Sequence, residues 1–114
     1  MSESTLYNEI RMALAPLGAR VFRNNVGLFD TRDGRKVRTG LCVGSSDLIG
    51  WTRDGRFLAI EVKAPGRAPT PEQANFLREV ASAGGVAFVA YSADDARAKL
   101  IAGLQGTDTA TLED

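Results

Sequence analysis

Two opposite charges lie within one short apolar segment of this sequence. Residues 58–63 read LAIEVK, which has the length and composition of a buried strand. Because strand side chains alternate between two faces, Glu61 and Lys63 share one face while the apolar even-numbered side chains share the other. Burying an ion pair in a small core seldom improves stability. The pair therefore lies on an exposed edge strand, where charge discourages aggregation, or it serves a function.

A predicted hairpin brings a third charged side chain to this segment. Asp54-Gly55 lies between two apolar runs and is a strong signal for a tight turn. Paired residues in a hairpin lie equally far from its turn, so Glu61 lies opposite Asp47 when the turn is centred near residue 54. The register therefore predicts that Asp47, Glu61 and Lys63 converge.

Two converging carboxylates and a lysine are suited to metal-dependent hydrolysis. Carboxylates held close together repel each other, which raises a pKa unless a cation lies between them. Mg²⁺ or Mn²⁺ would take one oxygen from Asp47 and one from Glu61, lower the pKa of a bound water and stabilise charge on a phosphoryl oxygen. Lys63 would orient or deprotonate that water. Individually, Asp47 is equally well explained as a turn cap, and Glu61 with Lys63 as an edge-strand charge pair.

The rest of the pattern predicts an α/β fold with the core order αβββαβ and one further helix. A meander of three or four strands is extended by a crossover helix and another strand, which gives a mixed central sheet flanked by helices. The second helix begins with a capping box, TPEQ at 70–73. We expect one domain over residues 1–105 and a polar tail over 106–114. The predicted elements are helices at 4–15, 71–83 and 93–104, strands at 20–26, 37–43, 47–51, 57–63 and 86–91, and a loop or hairpin tip at 27–36.

The scarcity of histidine and cysteine excludes several classes of enzyme. The sequence has no histidine and one cysteine, Cys42. Ser-His-Asp and Cys-His hydrolases and histidine-ligated metal sites are therefore excluded, and any metal must be bound by oxygen ligands. A lone cysteine fits a reducing compartment. The sequence contains neither a signal-peptide pattern nor an apolar run of about 18 residues, so we expect a cytoplasmic protein without a membrane partner.

The zero net charge conceals a basic middle region. Residues 11–67 carry eleven Lys and Arg against five Asp and Glu, and eight arginines lie between residues 20 and 67. Clustered arginine suits phosphate recognition, although ordinary scatter of surface charge is an equally good explanation. The candidate DNA contacts are Arg23, Asn24, Asn25, Arg35, Lys36, Arg38 and Arg67; the first three of these are alternatively the end of a strand.

Two motifs at the predicted hairpin resemble the PD-(D/E)xK nuclease signature. They are GSSD at 44–47 and IEVK at 60–63, with Ser46 where a proline often stands. More narrowly, residues 5–95 resemble the small stand-alone VRR-NUC domain. The matching positions are Arg23-Asn24-Asn25, Gly40, GSSDLIG at 44–50, IEVK at 60–63, Gln73 and Gly84-Gly85.

The resemblance implies a restriction-endonuclease-like core and metal-dependent cleavage of DNA. Stand-alone members resemble Holliday-junction resolvases that act as homodimers, in bacteria or phage-infected cells. It also implies that Asp47 and Glu61 bind the metal with the Val62 backbone carbonyl, and that Lys63 is the catalytic lysine.

The resemblance places two further residues near the metal. Glu9 matches an additional acidic residue on the first helix, and Gln73 matches a glutamine beside the active site. Glu9 is otherwise an exposed helix residue, and Gln73 is otherwise the third residue of the capping box. Two other functions stay open: a nucleic-acid-binding module of this fold that does not cleave, and a structural α/β domain in which the charges are coincidental.

Overall fold

The computed structural model describes residues 2–105, and the predicted polar tail at 106–114 lies outside the described residues. The fold is mixed α/β, as predicted. None of the described helices is both long and apolar enough to cross a membrane. The helices are α1 (Glu3–Leu14), α2 (Pro71–Ser82) and α3 (Ala93–Leu104), with a 3₁₀ turn at Ala15–Leu17, and the strands are β1 (Arg20–Arg23), β2 (Gly27–Asp30), β3 (Lys36–Thr39), β4 (Leu48–Trp51), β5 (Phe57–Val62) and β6 (Val86–Ala90).

The main sheet has four strands in the order β1-β4-β5-β6. The first three are antiparallel neighbours, and β6 lies parallel to β5 after the crossover through α2. This confirms the predicted αβββαβ core with a mixed sheet. Every residue of β6 is buried, as expected for a continuous apolar run that is covered on both faces.

The helices cover the two faces of this sheet unequally. On one face, α1 and α3 pack against the even-numbered residues of β5, with Ile10, Leu100 and Ile60 in one continuous core. On the other face, α2 contributes Leu77 to a smaller core with Ala59 of β5. This second helix begins where the sequence predicts, because the Thr70–Gln73 capping box is formed in both directions.

The second face continues beyond α2 as an uncovered apolar surface. We call Phe22, Ile49, Trp51 and Phe57 the aromatic face; the register pairs Phe22 with Ile49 and Trp51 with Phe57. The rings of Phe22 and Trp51 lie 5.6 Å apart. Both side chains, like Phe57, are about half exposed.

The predicted strand at 37–43 is wrong in both extent and partner. β3 ends at Thr39 and pairs only with β2, so the two form a separate two-stranded sheet. Gly40 follows with a φ of +81°, a backbone conformation that turns the chain out of the strand. β1, predicted to reach residue 26, ends at Arg23 and pairs directly with β4. The β2–β3 hairpin is therefore an insertion between the first two strands of the core.

Candidate active site

The predicted register between β4 and β5 is confirmed. Leu48 pairs with Ile60, which places Asp47 beside Glu61 at the next position. The backbone N–H of Asp47 donates to Glu61 Oε1 at 3.3 Å, and the backbone N–H of Val62 donates to Asp47 Oδ2 at 2.8 Å. Each carboxylate is thus oriented by the backbone of the opposite strand. The two side chains are held together by the pairing of the strands themselves.

Glu61 is a buried acid, and its neighbouring lysine reaches the surface. The Glu61 side chain is 1% exposed, and Lys63 Nζ lies 3.4 Å from Glu61 Oε2 with 22% of its side chain exposed. β5 lies between β4 and β6 in the centre of the sheet. The edge-strand explanation of this charge pair is therefore wrong. A buried carboxylate in a central strand requires a compensating interaction.

The pKa values of both carboxylates are raised, which favours the binding of a cation beside them. Burial raises the pKa of Glu61 to about 7; the negative charge of Asp47 adds to this rise, and Lys63 opposes it. Burial also raises the pKa of Asp47, against the opposing effects of the Val62 N–H and Lys63. Burial is the largest cause of both shifts, and at Glu61 the repulsion by Asp47 adds to it. A bound cation would relieve that repulsion directly.

The oxygen atoms at this position fit a hard divalent cation. Within residues 2–105, no group of three or more Asp, Glu, Cys and His side chains has the spacing of a metal site. Among the described residues, ligands beyond Asp47 and Glu61 would therefore come from the backbone, together with water. The Val62 N–H points towards Asp47, and the N–H and C=O of one strand residue project to the same side, so its carbonyl faces the site as well. Such a set of oxygen ligands suits Mg²⁺ or Mn²⁺.

Asp47 opens onto a polar cavity of about 580 Å³. The cavity is lined by residues of α1, β1, the β2–β3 hairpin, the loop before β4 and the start of α2. Five of these residues bear on its chemistry: Tyr7, Arg23, Phe29, Asp47 and Gln73. Of them, Arg23, Asp47 and Gln73 were predicted from the sequence, whereas Tyr7 and Phe29 were not.

Tyr7 holds Arg23 at the cavity. The Arg23 guanidinium lies 4.3 Å from the centre of the Tyr7 ring, a cation–π contact, while the ring itself is buried. Burial, with the charges of Asp47 and Glu3, raises the pKa of Tyr7 to about 12, so the phenol stays protonated. A signal for Tyr7 was present in the sequence, because it lies one turn before Ile10 on the same face of α1.

Glu9 is not among the residues that line this cavity, and its side chain is exposed. Successive helix residues are rotated by about 100°, so Glu9 lies about 200° around α1 from Tyr7. The acidic residue of α1 that lines the cavity is Glu3, four residues before Tyr7 and therefore on the same face. Glu9 therefore lies away from this cavity, and its proximity to the metal stays a prediction.

The side chain of Asn24 makes its hydrogen bonds within the protein. Its side chain is nearly buried, donates to Ser45 Oγ at 2.7 Å and the Ser46 carbonyl at 2.8 Å, and accepts from the Leu41 N–H at 2.8 Å. Its backbone N–H donates to the Asp47 carbonyl. The amide thus fixes the loop that delivers Asp47, which leaves little of it for the predicted DNA contact. Asn25 is exposed, and both asparagines line the cavity.

Gln73 forms the predicted capping box and also lies at the cavity onto which Asp47 opens; its place beside the active site stays a prediction. Its Oε1 accepts from the Thr70 N–H at 2.9 Å in the capping box, and the residue also lines the cavity. Because Oε1 is engaged, the Nε2 amide is the group that can donate into the cavity.

The remaining basic candidates lie outside the cavity lining. Arg35 and Lys36 are exposed on the hairpin and form ion pairs with Asp33 and Asp30. Arg38 is exposed on β3, and Arg67 is exposed in the loop between β5 and α2. Their role in DNA binding stays a prediction.

Comparison with known protein families identifies one match that covers most of the chain. The model of the VRR-NUC domain matches residues 10–94, a span that contains Asp47, Glu61, Lys63 and Gln73. A search of curated proteins finds none that matches this chain.

Proposed function

The chain belongs to the VRR-NUC domain family, and on that premise we propose that it is a Mg²⁺- or Mn²⁺-dependent endonuclease that hydrolyses phosphodiester bonds in DNA. Family membership makes it a nuclease-type domain with a restriction-endonuclease-like fold. The observation that carries the finer proposal is the pair of adjacent carboxylates, Asp47 and Glu61: Lys63 lies 3.4 Å from Glu61, and Asp47 opens onto the polar cavity, whose lining includes neither Glu61 nor Lys63.

The chemistry divides between a cation and three side chains. Asp47, Glu61 and the Val62 carbonyl would hold the cation. When bound, a divalent cation lowers the pKa of an attacking water and stabilises charge on a phosphoryl oxygen. Lys63 places a positive charge 3.4 Å from Glu61 and extends towards solvent, where it can orient the water and offset charge in the transition state.

Arg23 is the residue best placed to bind the phosphate that enters the cavity. Its guanidinium is stacked on Tyr7, so its orientation is set before DNA arrives. A planar guanidinium can bind two phosphate oxygens at once. The protonated Tyr7 phenol and the Nε2 amide of Gln73 add two neutral donors that do not repel the substrate.

The active form in this proposal is a homodimer that cleaves branched DNA, such as a four-way junction. Paired cuts in a branched substrate need two active sites at a fixed separation, which a symmetric dimer provides. The support is the aromatic face, whose half-exposed rings are available to a second copy of the chain. The exposed free thiol of Cys42 fits the reducing cytoplasm of a bacterial or phage-infected cell. A mass measurement in solution tests the dimer.

The test of the endonuclease is a cleavage panel of four-way junction, flap, nicked and linear DNA with Mg²⁺, Mn²⁺ or EDTA. We expect metal-dependent cleavage that Glu61→Gln abolishes and that the matched control Glu79→Gln, an exposed glutamate of α2, leaves intact. DNA binding that is insensitive to EDTA, with no cleavage of any substrate, would contradict the proposal and establish a binding module instead.

A further inference from the structure

The β2–β3 hairpin stands apart from the packed core. Residues 28–30 and 36–38 are exposed on both faces of its two-stranded sheet. An isolated two-stranded hairpin is only marginally stable in water, so its own packing does not explain why it keeps this shape. Its base is fixed instead, by Asn24 Oδ1, which accepts from the Leu41 N–H at 2.8 Å, and by the Thr39 hydroxyl, which donates to the Asn25 carbonyl at 2.8 Å. A fixed base with an exposed body suits an arm that meets a partner.

One aromatic ring of this arm borders the cavity onto which Asp47 opens. Phe29 lines the same cavity as Asp47, yet its side chain is 55% exposed. The ring lies over Gly27, where a Cβ atom would come within 2.8 Å of Phe29 Cε2. Leu28, the adjacent residue on the opposite face, is equally exposed but does not line the cavity. Phe29 therefore lies at the cavity although its ring is not buried in a hydrophobic core.

The charges around Phe29 indicate the class of its partner. Residues 26–40 carry four basic and two acidic side chains; at the cavity Arg23 adds a positive charge, and Glu3 and Asp47 add negative ones. A partner that suits the basic side chains and the ring presents negative charge to the first and a flat apolar surface to the second. A DNA strand offers both, a phosphate and the face of a base. Every base can stack on an aromatic ring, and such stacking typically changes affinity by about tenfold.

We propose that Phe29 stacks on an unpaired nucleobase next to the phosphate that occupies the active site. In a continuous duplex each base is already stacked between neighbours, and exposing a face costs unstacking energy. The hairpin therefore favours DNA with an unpaired base at the cleavage point, as in a gap or a single-stranded flap. This inference deepens the proposed endonuclease function and rests on it for its effect on cleavage, but the stacking can be measured without cleavage.

The test uses a fluorescent base analogue in a gapped oligonucleotide. 2-Aminopurine is placed opposite or beside the gap, and binding is measured in the Glu61→Gln background, which prevents cleavage. We expect its fluorescence to be quenched on binding. Phe29→Leu should abolish the quenching and weaken binding to gapped DNA about tenfold, with less than a twofold change for duplex DNA. Phe29→Trp should retain both effects.

Two variants of the same strand serve as controls. Leu28→Ala, on the opposite face, should change neither quenching nor affinity. Gly27→Ala keeps the aromatic ring but adds the methyl group that displaces it, so the quenching should weaken while the fold, checked by circular dichroism, is retained. Normal quenching in Gly27→Ala with an intact fold would contradict the placement of the ring.

Three outcomes would overturn the proposal. The first is an absence of quenching when Phe29 is present, and the second is an equal loss of binding to gapped and duplex DNA in Phe29→Leu. The third is a loss of the dimer mass in Phe29→Leu, which would show that the hairpin contacts a second copy of the chain. Quenching that depends on Phe29, in a protein that cleaves no DNA with its full active site, would support the stacking and refute the endonuclease. Cleavage without quenching would support the endonuclease and refute the stacking.

Discussion

The β4–β5 pair and the β2–β3 pair are both short antiparallel ladders, but the protein holds them in opposite ways. Leu48, Leu58 and Ile60 of the first pair are fully buried, and helices pack on both sides of β5. The second pair is exposed on both faces. Chemistry and substrate contact are therefore assigned to different parts of the fold. Groups that must be placed within tenths of an ångström lie on packed strands, and groups that adapt to a substrate lie on an arm.

Loss of a lysine should slow cleavage when the lysine lies on β5, and should weaken DNA binding when it lies on the β2–β3 hairpin. We expect Lys63→Met to slow single-turnover cleavage about 10³-fold at saturating DNA, because its ammonium acts at the transition state. Lys36→Met removes a similar charge from the hairpin, where its ion pair with Asp30 is exposed. Lys36→Met should weaken DNA binding and lower the salt dependence of that binding, but leave the cleavage rate at saturating DNA unchanged. Equal slowing by both variants would remove the distinction between the two regions.

Glycine substitutions should separate the two regions by stability. A Cβ at Gly50 would lie 1.8 Å from the Arg20 carbonyl oxygen, so Gly50→Ala must force β1 and β4 apart. We expect it to lower the free energy of unfolding by at least about 3 kcal/mol. Gly34, at the hairpin tip, has a φ of +84° but open space around it, and Gly34→Ala should cost only about 1 kcal/mol. Urea denaturation measures both, and similar values would contradict the difference in packing.

Asn24 joins the two regions, so its loss should affect both. Asn24→Ala leaves the Leu41 N–H and the Ser46 carbonyl without their partner, and we expect the free energy of unfolding to fall by about 2–3 kcal/mol. Cleavage should fall as well, because the loop that delivers Asp47 loses its anchor. Asn25→Ala, an exposed neighbour, should change the stability by less than about 0.5 kcal/mol. A stable, fully active Asn24→Ala variant would show that the loop needs no such anchor.

The active-site pair could be predicted from the sequence because its geometry depends on local signals. The Asp54-Gly55 turn fixes the register, and the register alone places Asp47 beside Glu61. The start of α2 is similarly local, since Thr70 and Gln73 satisfy each other within one turn.

The hairpin and the lining of the cavity could not be predicted in this way, because they depend on distant contacts. The segment KVRT at 36–39 has the same alternation whether it pairs with β2 or joins the main sheet, and only the direct pairing of β1 with β4 excludes the second possibility. The rotation of α1 about its axis is set by packing against α3 and β1, so the sequence favoured Glu9 where the fold presents Glu3. The buried role of Asn24 depends on a loop about 20 residues away.

The smallest expected effect is a pH dependence whose sign differs between the two regions. The pKa of Glu61 rises from 4.5 to about 7 on folding, so between these values the folded protein holds a proton that the unfolded chain has lost. The free energy of unfolding in EDTA should therefore fall by about 2 kcal/mol as the pH rises from 5 to 8, and Asp47 acts in the same direction.

At the hairpin tip the free energy of unfolding changes with pH in the opposite direction, so the prediction for Glu61 is specific. Hydrogen bonds from Thr31 and Arg35 lower the pKa of the exposed Asp33, so its contribution to stability is present above the ordinary pKa of an aspartate and is lost in acid. Between pH 5 and 8 it is constant and cannot mask the fall due to Glu61. Glu61→Gln should therefore flatten the profile in this range, whereas Asp33→Asn should leave its slope unchanged. Urea unfolding at pH 5 and pH 8 measures both slopes, and an unchanged slope in Glu61→Gln would show that the buried carboxylate is not the group that titrates.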